Sequence, residues 1–191
     1  MLLDLNRCTG CNACIIACKQ ENDLPPKLDA LPGSRGISYI RVEPVGPEGE
    51  YPELSMHFLP ITCMHCADPP CLEACPAEAI YKRDDGIVLI DKEACTACED
   101  CVEACPYNAI SMDIEQEVAR KCTLCQHLID QGHKPACTAA CNAGAMMFGN
   151  LADANEDISR AIKENQDDCF TLKPESKTDP SIYYLKFRKK G

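Results

Sequence analysis

The chain has 191 residues, a formal net charge of −11, and seventeen cysteines against four phenylalanines and no tryptophan. The negative balance excludes a surface that neutralises nucleic-acid phosphates. At this length the chain makes one ordinary domain or two small ones, and two small ones is the expectation; so few large apolar side chains cannot close two cores by burial alone, so disulfides or metal must contribute.

In chain order, Asp4 and Arg7 interrupt the apolar start, so no secretion signal is expected. No apolar run reaches the roughly 20 residues of a membrane span, and a soluble or peripheral protein is expected. Residues 12–21 read as a helix, and residues 24–36, with three prolines and two glycines, as a loop. Residues 36–45 and 54–59 read as strands around a turn at Gly46-Pro47-Glu48-Gly49. Two hairpins follow, 80–82 with 87–90 around Arg83-Asp84-Asp85-Gly86, and 109–112 with 118–121. Helices are predicted over 122–130 and 153–163, the latter opened by an Asp cap with Ile158, Ala161 and Ile162 on one face. Lys186, Arg188, Lys189 and Lys190 form a basic cluster that reads as a solvated tail.

The cysteines fall into four groups. Cys8, Cys11, Cys14 and Cys18 are spaced C-x2-C-x2-C-x3-C, and Cys95, Cys98, Cys101 and Cys105 repeat that spacing. Between them stand Cys63, Cys66, Cys71 and Cys75 (C-x2-C-x4-C-x3-C), and after them Cys122, Cys125, Cys137 and Cys141 (C-x2-C-x11-C-x3-C). Cys169 is left over and reads as a small buried hydrophobe. The repeated run is the bacterial ferredoxin signature, in which three close thiolates hold one 4Fe-4S cubane and the fourth serves its neighbour. Pro76 and Pro106 follow two of the groups, where the chain must turn sharply. The segments Cys75 to Ile80, Cys105 to Ile110 and Cys141 to Met146 share the pattern Cys-x3-Ala-apolar, an internal repeat. Four 4Fe-4S clusters on sixteen cysteines are therefore expected.

The rival readings fare worse. Structural zinc uses separated C-x2-C pairs, and a disulfide scaffold gains little from bridging residues three apart. Covalent haem needs His after C-x2-C, yet Asn12, Ala67, Glu99 and Gln126 occupy those positions. His57, His65, His127 and His133 suggest no metal or catalytic site; His65, inside the second group, reads as structural rather than as a sulfur hydrogen-bond partner. Met146, Met147 and Phe148 read as core packed against a cluster. No triad, phosphate loop or acid–base pair stands out, so no catalytic residue is assigned.

With four groups in this order, the chain resembles the iron–sulfur subunits of the dimethyl sulfoxide reductase family of molybdenum or tungsten oxidoreductases. The resemblance is carried by Asn6-Arg7-Cys8-Thr9-Gly10-Cys11, Cys63-Met64-His65-Cys66 with Pro69-Pro70-Cys71, and Arg120-Lys121-Cys122-Thr123-Leu124-Cys125. The tail from Lys173 to Tyr184 looks like that family's C-terminal strand. It implies an α+β fold of two ferredoxin-like dicluster units, one inserted in the other. Residues 1–54 plus 108–150 would form the first unit, 55–107 the insert, and 151–191 a C-terminal helix and strand extension. It further implies ligand exchange: Cys8, Cys11, Cys14 and Cys141 on one cluster, and Cys122, Cys125, Cys137 and Cys18 on its neighbour. The insert would hold Cys63, Cys66, Cys71 and Cys105 on one cluster and Cys95, Cys98, Cys101 and Cys75 on the other. All sixteen positions are cysteine here, which favours an unbroken electron wire over a vestige.

The implied role is that of a non-catalytic electron-transfer subunit in a complex with a large molybdopterin-containing catalytic subunit, with a membrane anchor or soluble redox carrier as second partner. Two alternatives share the scaffold: a ferredoxin-like subunit of a hydrogenase or carbon monoxide dehydrogenase, and a structural cluster subunit of a transhydroxylase-type complex. A peripheral membrane complex, cytoplasmic or exported folded with a partner, is the expected setting.

Overall fold

The computed structural model describes residues 1–25 and 37–188. Most of the loop expected over 24–36, the start of the strand expected from residue 36, and Lys189 and Lys190 lie outside them. The elements are β1 (Leu2–Asp4), α1 (Ala13–Glu21), β2 (Ile40–Glu48), β3 (Ser55–Thr62), α2 (Pro70–Glu73), β4 (Ile80–Lys82), β5 (Val88–Ile90) and α3 (Asp100–Ala104). They continue with β6 (Ile110–Asp113), β7 (Val118–Lys121), α4 (Gln126–Ile129), α5 (Ala136–Ala139), β8 (Met146–Met147), α6 (Asp157–Glu164), β9 (Cys169–Phe170) and β10 (Tyr183–Leu185). Short hairpins and short helices make this an α+β, ferredoxin-like arrangement.

Three hairpins are antiparallel pairs, β2 with β3, β4 with β5 and β6 with β7. In β4–β5, Asp85 Oδ1 accepts the Ile87 amide at 3.1 Å and Gly86 takes φ 85, the turn chemistry its sequence demands. The fourth sheet has the order β8-β1-β10-β9. Here β1 lies parallel to β10, with Leu2 opposite Tyr183 and Asp4 opposite Leu185, so residues from the two ends of the sequence share one sheet. Leu2, Leu3, Tyr184 and Ile182 are fully buried in it.

One core runs from this sheet through Tyr39, Ile40, Ile61, Met64 and Leu124, and a smaller one gathers Ile80, Val88, Ile110 and Ala119. Thiols are part of both, including Cys14, Cys18, Cys63 and Cys122 in the first and Cys71 and Cys101 in the second. The β6–β7 hairpin contributes Ile110, Met112 and Ala119 to the smaller core.

The segment after α6 binds the rest of the molecule through its backbone. Thr178 O accepts the Asp68 amide at 3.2 Å, Asp179 O the Ala67 amide at 2.8 Å, and Ser181 N donates to Met64 O at 2.9 Å. Tyr184 Oη donates to Pro60 O at 3.0 Å.

Two predicted helices are shorter than expected. The segment 122–130 is helical only from Gln126, because Leu124 and Cys125 both take φ 52 and wind the chain the other way. The helix expected from Asp153 begins at Asp157: Asp153 Oδ1 accepts the Asn155 amide at 2.9 Å in a local turn, so it caps that turn rather than the helix.

Candidate metal centres

A C-x3-C step on a helix puts two side chains one turn apart on the same side, about 6 Å along the axis. The chain uses this step four times. Cys14 and Cys18 ride on α1, Cys71 on α2 with Cys75 just beyond it, Cys101 on α3 with Cys105 just beyond it, and Cys137 on α5 with Cys141 just beyond it. In each case the two cysteines of the step face different cavities.

Four small cavities result, each lined by four cysteines. The first is walled by Cys8, Cys11, Cys14 and Cys141 with Val42, Pro60 and Met146. The second gathers Cys18, Cys122, Cys125 and Cys137 with Leu3, Tyr39 and Ile61. The third holds Cys63, Cys66, Cys71 and Cys105 with Val88, Tyr107 and Ile110. The fourth holds Cys75, Cys95, Cys98 and Cys101 with Ile80, Ile90 and Ala119. Every quartet takes three cysteines from one sequence group and one from another. The tertiary structure thus brings together all sixteen sequence-predicted residues; Cys169 stands apart, in β9 opposite Leu185.

The quartets form a series. Cys14 of the first acts on Cys18 and Cys137 of the second, and Cys63 of the third on Cys122 of the second. Cys71 and Cys75, one step apart around α2, link the third to the fourth. The inner quartets are buried but for the half-buried Cys105, whereas Cys11 of the first and Cys98 of the fourth are exposed.

The polar groups around the sulfurs are donors. Ala145 N lies 3.2 Å from Cys141 Sγ, Leu124 N 3.3 Å from Cys122 Sγ and Ala119 N 3.5 Å from Cys95 Sγ. Asn22 Nδ2 stands 3.7 Å from Cys18 Sγ and 3.9 Å from Cys125 Sγ. The Thr178 side chain opposes the burial that raises the Cys66 thiol, and Tyr107 Oη lies 2.6 Å from Thr178 Oγ1. Left-handed residues inside the cysteine loops let the backbone curl around the sulfurs: Gly10, Asn12, Ala97, Glu99, Leu124 and Cys125. At Gly10 the demand is double, because φ is +68 and a Cβ would meet the Phe58 ring at 2.6 Å. Gly10 and Asn12 are residue types that favour this conformation, but nothing in the sequence marks the other four positions, since Ala, Glu, Leu and Cys rarely adopt φ above zero.

Burial pushes the thiols of Cys14, Cys66, Cys101 and Cys122 up to about 11 and those of Cys71 and Cys137 to about 12, and raises Cys18 as well. Cys11 runs the other way, lowered first by the Ala13 amide. Four enclosed thiols cannot ionise together unless a cation enters among them. Among the described residues no three His, Cys, Asp or Glu side chains converge on a point suited to a single ion. Four sulfurs around an apolar cavity, with N–H and O–H donors directed at them, fit an iron–sulfide cube instead.

The histidines lie apart from the quartets or serve the scaffold. His57 stacks on Phe187 at 4.6 Å, His127 pairs with Glu21 at 2.7 Å, and His133 lines a surface groove. His65 is buried, its Nδ1 accepts the Val88 amide at 3.1 Å, and burial keeps it neutral.

The model of the 4Fe-4S dicluster domain family matches residues 54–151. A sulfite dehydrogenase subunit of Allochromatium vinosum is 39% identical, over 99% of this chain and 83% of its own length. A tetrathionate reductase subunit of Salmonella typhimurium is 37% identical, over 97% and 71%. A putative dimethyl sulfoxide reductase iron-sulfur subunit of Halobacterium salinarum is also 37% identical, over 97% and 78%. With the cysteine quartets, the family match and relatives aligned over nearly the whole chain, this protein belongs to the 4Fe-4S iron–sulfur subunits of the dimethyl sulfoxide reductase family.

Proposed function

We propose that the chain relays single electrons through four 4Fe-4S clusters, between a molybdopterin catalytic subunit carrying molybdenum or tungsten and a membrane quinone subunit or soluble carrier. The observation that carries this is the series of four cysteine quartets, enclosed in the middle and exposed at Cys11 and Cys98. The proposed ligand sets follow the cavities: Cys8, Cys11, Cys14 and Cys141; Cys18, Cys122, Cys125 and Cys137; Cys63, Cys66, Cys71 and Cys105; Cys75, Cys95, Cys98 and Cys101. A bound cubane supplies one-electron redox chemistry at a potential set by burial and hydrogen bonds. The chain supplies the thiolates, excludes water with Leu3, Ile61, Val88 and Met146, and directs amide and hydroxyl donors at the sulfurs. The two outer quartets, with an exposed ligand each, suit electron entry and exit at partner surfaces.

The same reading includes two dicluster units, the one of residues 55–107 inserted between 1–54 and 108–150, and the extension 151–191. No described helix is long and apolar enough to cross a membrane, so this reading assigns membrane contact to another subunit. The relatives are subunits of reductases and a dehydrogenase, which argues against the hydrogenase and transhydroxylase alternatives. Anaerobic co-purification of the tagged full chain with its partners, followed by metal analysis, tests the proposal. The expected result is about sixteen iron per chain, as four cubanes require, with molybdenum or tungsten in the complex. Nickel in place of those metals, or about twelve iron, rejects it.

A further inference from the structure

Lys121 is the one fully buried lysine among the described residues, at 3% exposure. It ends β7 immediately before Cys122 of the second quartet. Its Nζ donates to Cys122 O at 3.1 Å and to the carbonyl of Val88, a residue that walls the third quartet's cavity. The ammonium therefore bridges the walls of two neighbouring cavities. Among the described residues no carboxylate pairs with it, whereas the adjacent buried Arg120 is paired with Asp113 at 2.8 Å. Burying a cation without a counter-charge is strongly unfavourable, so an anion must answer it. A cubane held by four thiolates is a net anion, and Lys121 has one on either side. The same ammonium opposes the burial that raises the thiols of Cys71 and Cys122, one in each quartet.

We propose that Lys121 is a potential-setting residue: its fixed positive charge, held between the second and third quartets, is the shared counter-charge of those two clusters and raises the reduction potentials of both. This rests on the four-cluster reading under the proposed function. A positive charge stabilises the reduced, more negative form of each cluster, so both inner clusters become easier to reduce and the middle of the wire is kept from becoming a barrier. A fixed charge at this position acts most strongly on those two clusters, because the Lys121 Nζ contacts Val88 O and Cys122 O, on the walls of their cavities.

The test is Lys121→Gln, whose amide keeps N–H donors for Val88 O and Cys122 O while removing the charge. Redox titration followed by paramagnetic resonance is run on holoprotein, with each cluster's signal assigned beforehand through Cys→Ser variants at Cys14, Cys125, Cys71 and Cys95. Both inner clusters are expected to become harder to reduce by about tenfold, or about 59 mV for one electron, with the outer two unmoved. Lys121→Arg should restore the native values. Unchanged inner potentials, a shift in only one of them, or an equal shift in all four overturns the inference. If Lys121→Gln and Lys121→Met fail to hold full iron while Lys121→Arg holds it, the requirement for charge is upheld. If all three fail, the lysine is needed for its shape and the inference is lost. Wild-type protein without four assignable clusters would instead overturn the cluster assignment itself.

Discussion

Cys18 and Cys75 each stand one turn beyond a cysteine that faces another cavity, and this single step joins sequence groups that lie far apart. Cys18→Ser should therefore damage the cluster on Cys122, Cys125 and Cys137 and spare the one on Cys8, Cys11, Cys14 and Cys141. Cys75→Ser should likewise strike the cluster on Cys95, Cys98 and Cys101. Low-temperature paramagnetic spectra decide the matter: a three-iron signal from the cluster of Cys8, Cys11 and Cys14 in Cys18→Ser would contradict the exchange. Thr178 acts on another sulfur from 112 residues away, its hydroxyl, braced by Tyr107, opposing the burial that raises the Cys66 thiol. Hydrogen bonds to a ligand sulfur offset its negative charge and raise the cluster potential. Thr178→Val should make the third-quartet cluster harder to reduce, by roughly twofold to tenfold in equilibrium, and Thr178→Ser should leave it near native; equal potentials in both variants would count against the role.

At the scale of elements, the short β1 strand is held because β10 and β8 flank it on both edges. A three-residue strand has little stability of its own, so its burial depends on its neighbours. Tyr184, fully buried in β10, donates to Pro60 O in β3 and so pins the four-stranded sheet to the long hairpin. Tyr184→Phe keeps the ring but leaves the Pro60 carbonyl without that donor, and should cost about 1–2 kcal/mol, read as a lower midpoint in denaturant unfolding of holoprotein. A midpoint within error of wild type would show that the carbonyl finds another donor. Arg83, which bridges the β4–β5 hairpin to Asp130 at 2.6 Å beyond α4, is largely a surface contact and a weaker tie.

Across the whole molecule, thiols occupy positions that larger apolar side chains fill in other proteins. Cys14, Cys18, Cys63, Cys66, Cys122 and Cys137 sit within the main core cluster, and burial makes several of them resist ionisation. Removing iron leaves cavities ringed by neutral thiols where the proposed clusters crosslink distant segments. Because metal binding in such domains supplies folding free energy, anaerobic chelation should abolish the cooperative melt and most of the far-ultraviolet dichroism. Apo-protein with a native-like melt would show that the apolar core suffices alone.

The sequence by itself determined the chemistry and the local turns. Cysteine spacing is covalent, so the four groups, the ferredoxin signature and the α1 turn carrying Cys14 and Cys18 were legible without tertiary information, as were the β4–β5 hairpin with its Asp85-Gly86 turn and the β6–β7 hairpin from its two apolar segments. The tertiary structure decided which cysteines meet. Spacing is silent on whether Cys141 turns towards Cys8 or Cys125, because that depends on how α1 and α5 pack; Cys141 lines the cavity of Cys8, and Cys18 that of Cys125. It also decided the left-handed backbone at Leu124 and Cys125, which shortened a predicted helix, and the pairing of β1 with β10 across some 180 residues. Such strands are too short to carry a periodic pattern, so only their neighbours select them. Lys121 is the sharpest case: in the sequence it is one of several lysines, and only packing gives it two carbonyls, two cysteine quartets and no carboxylate.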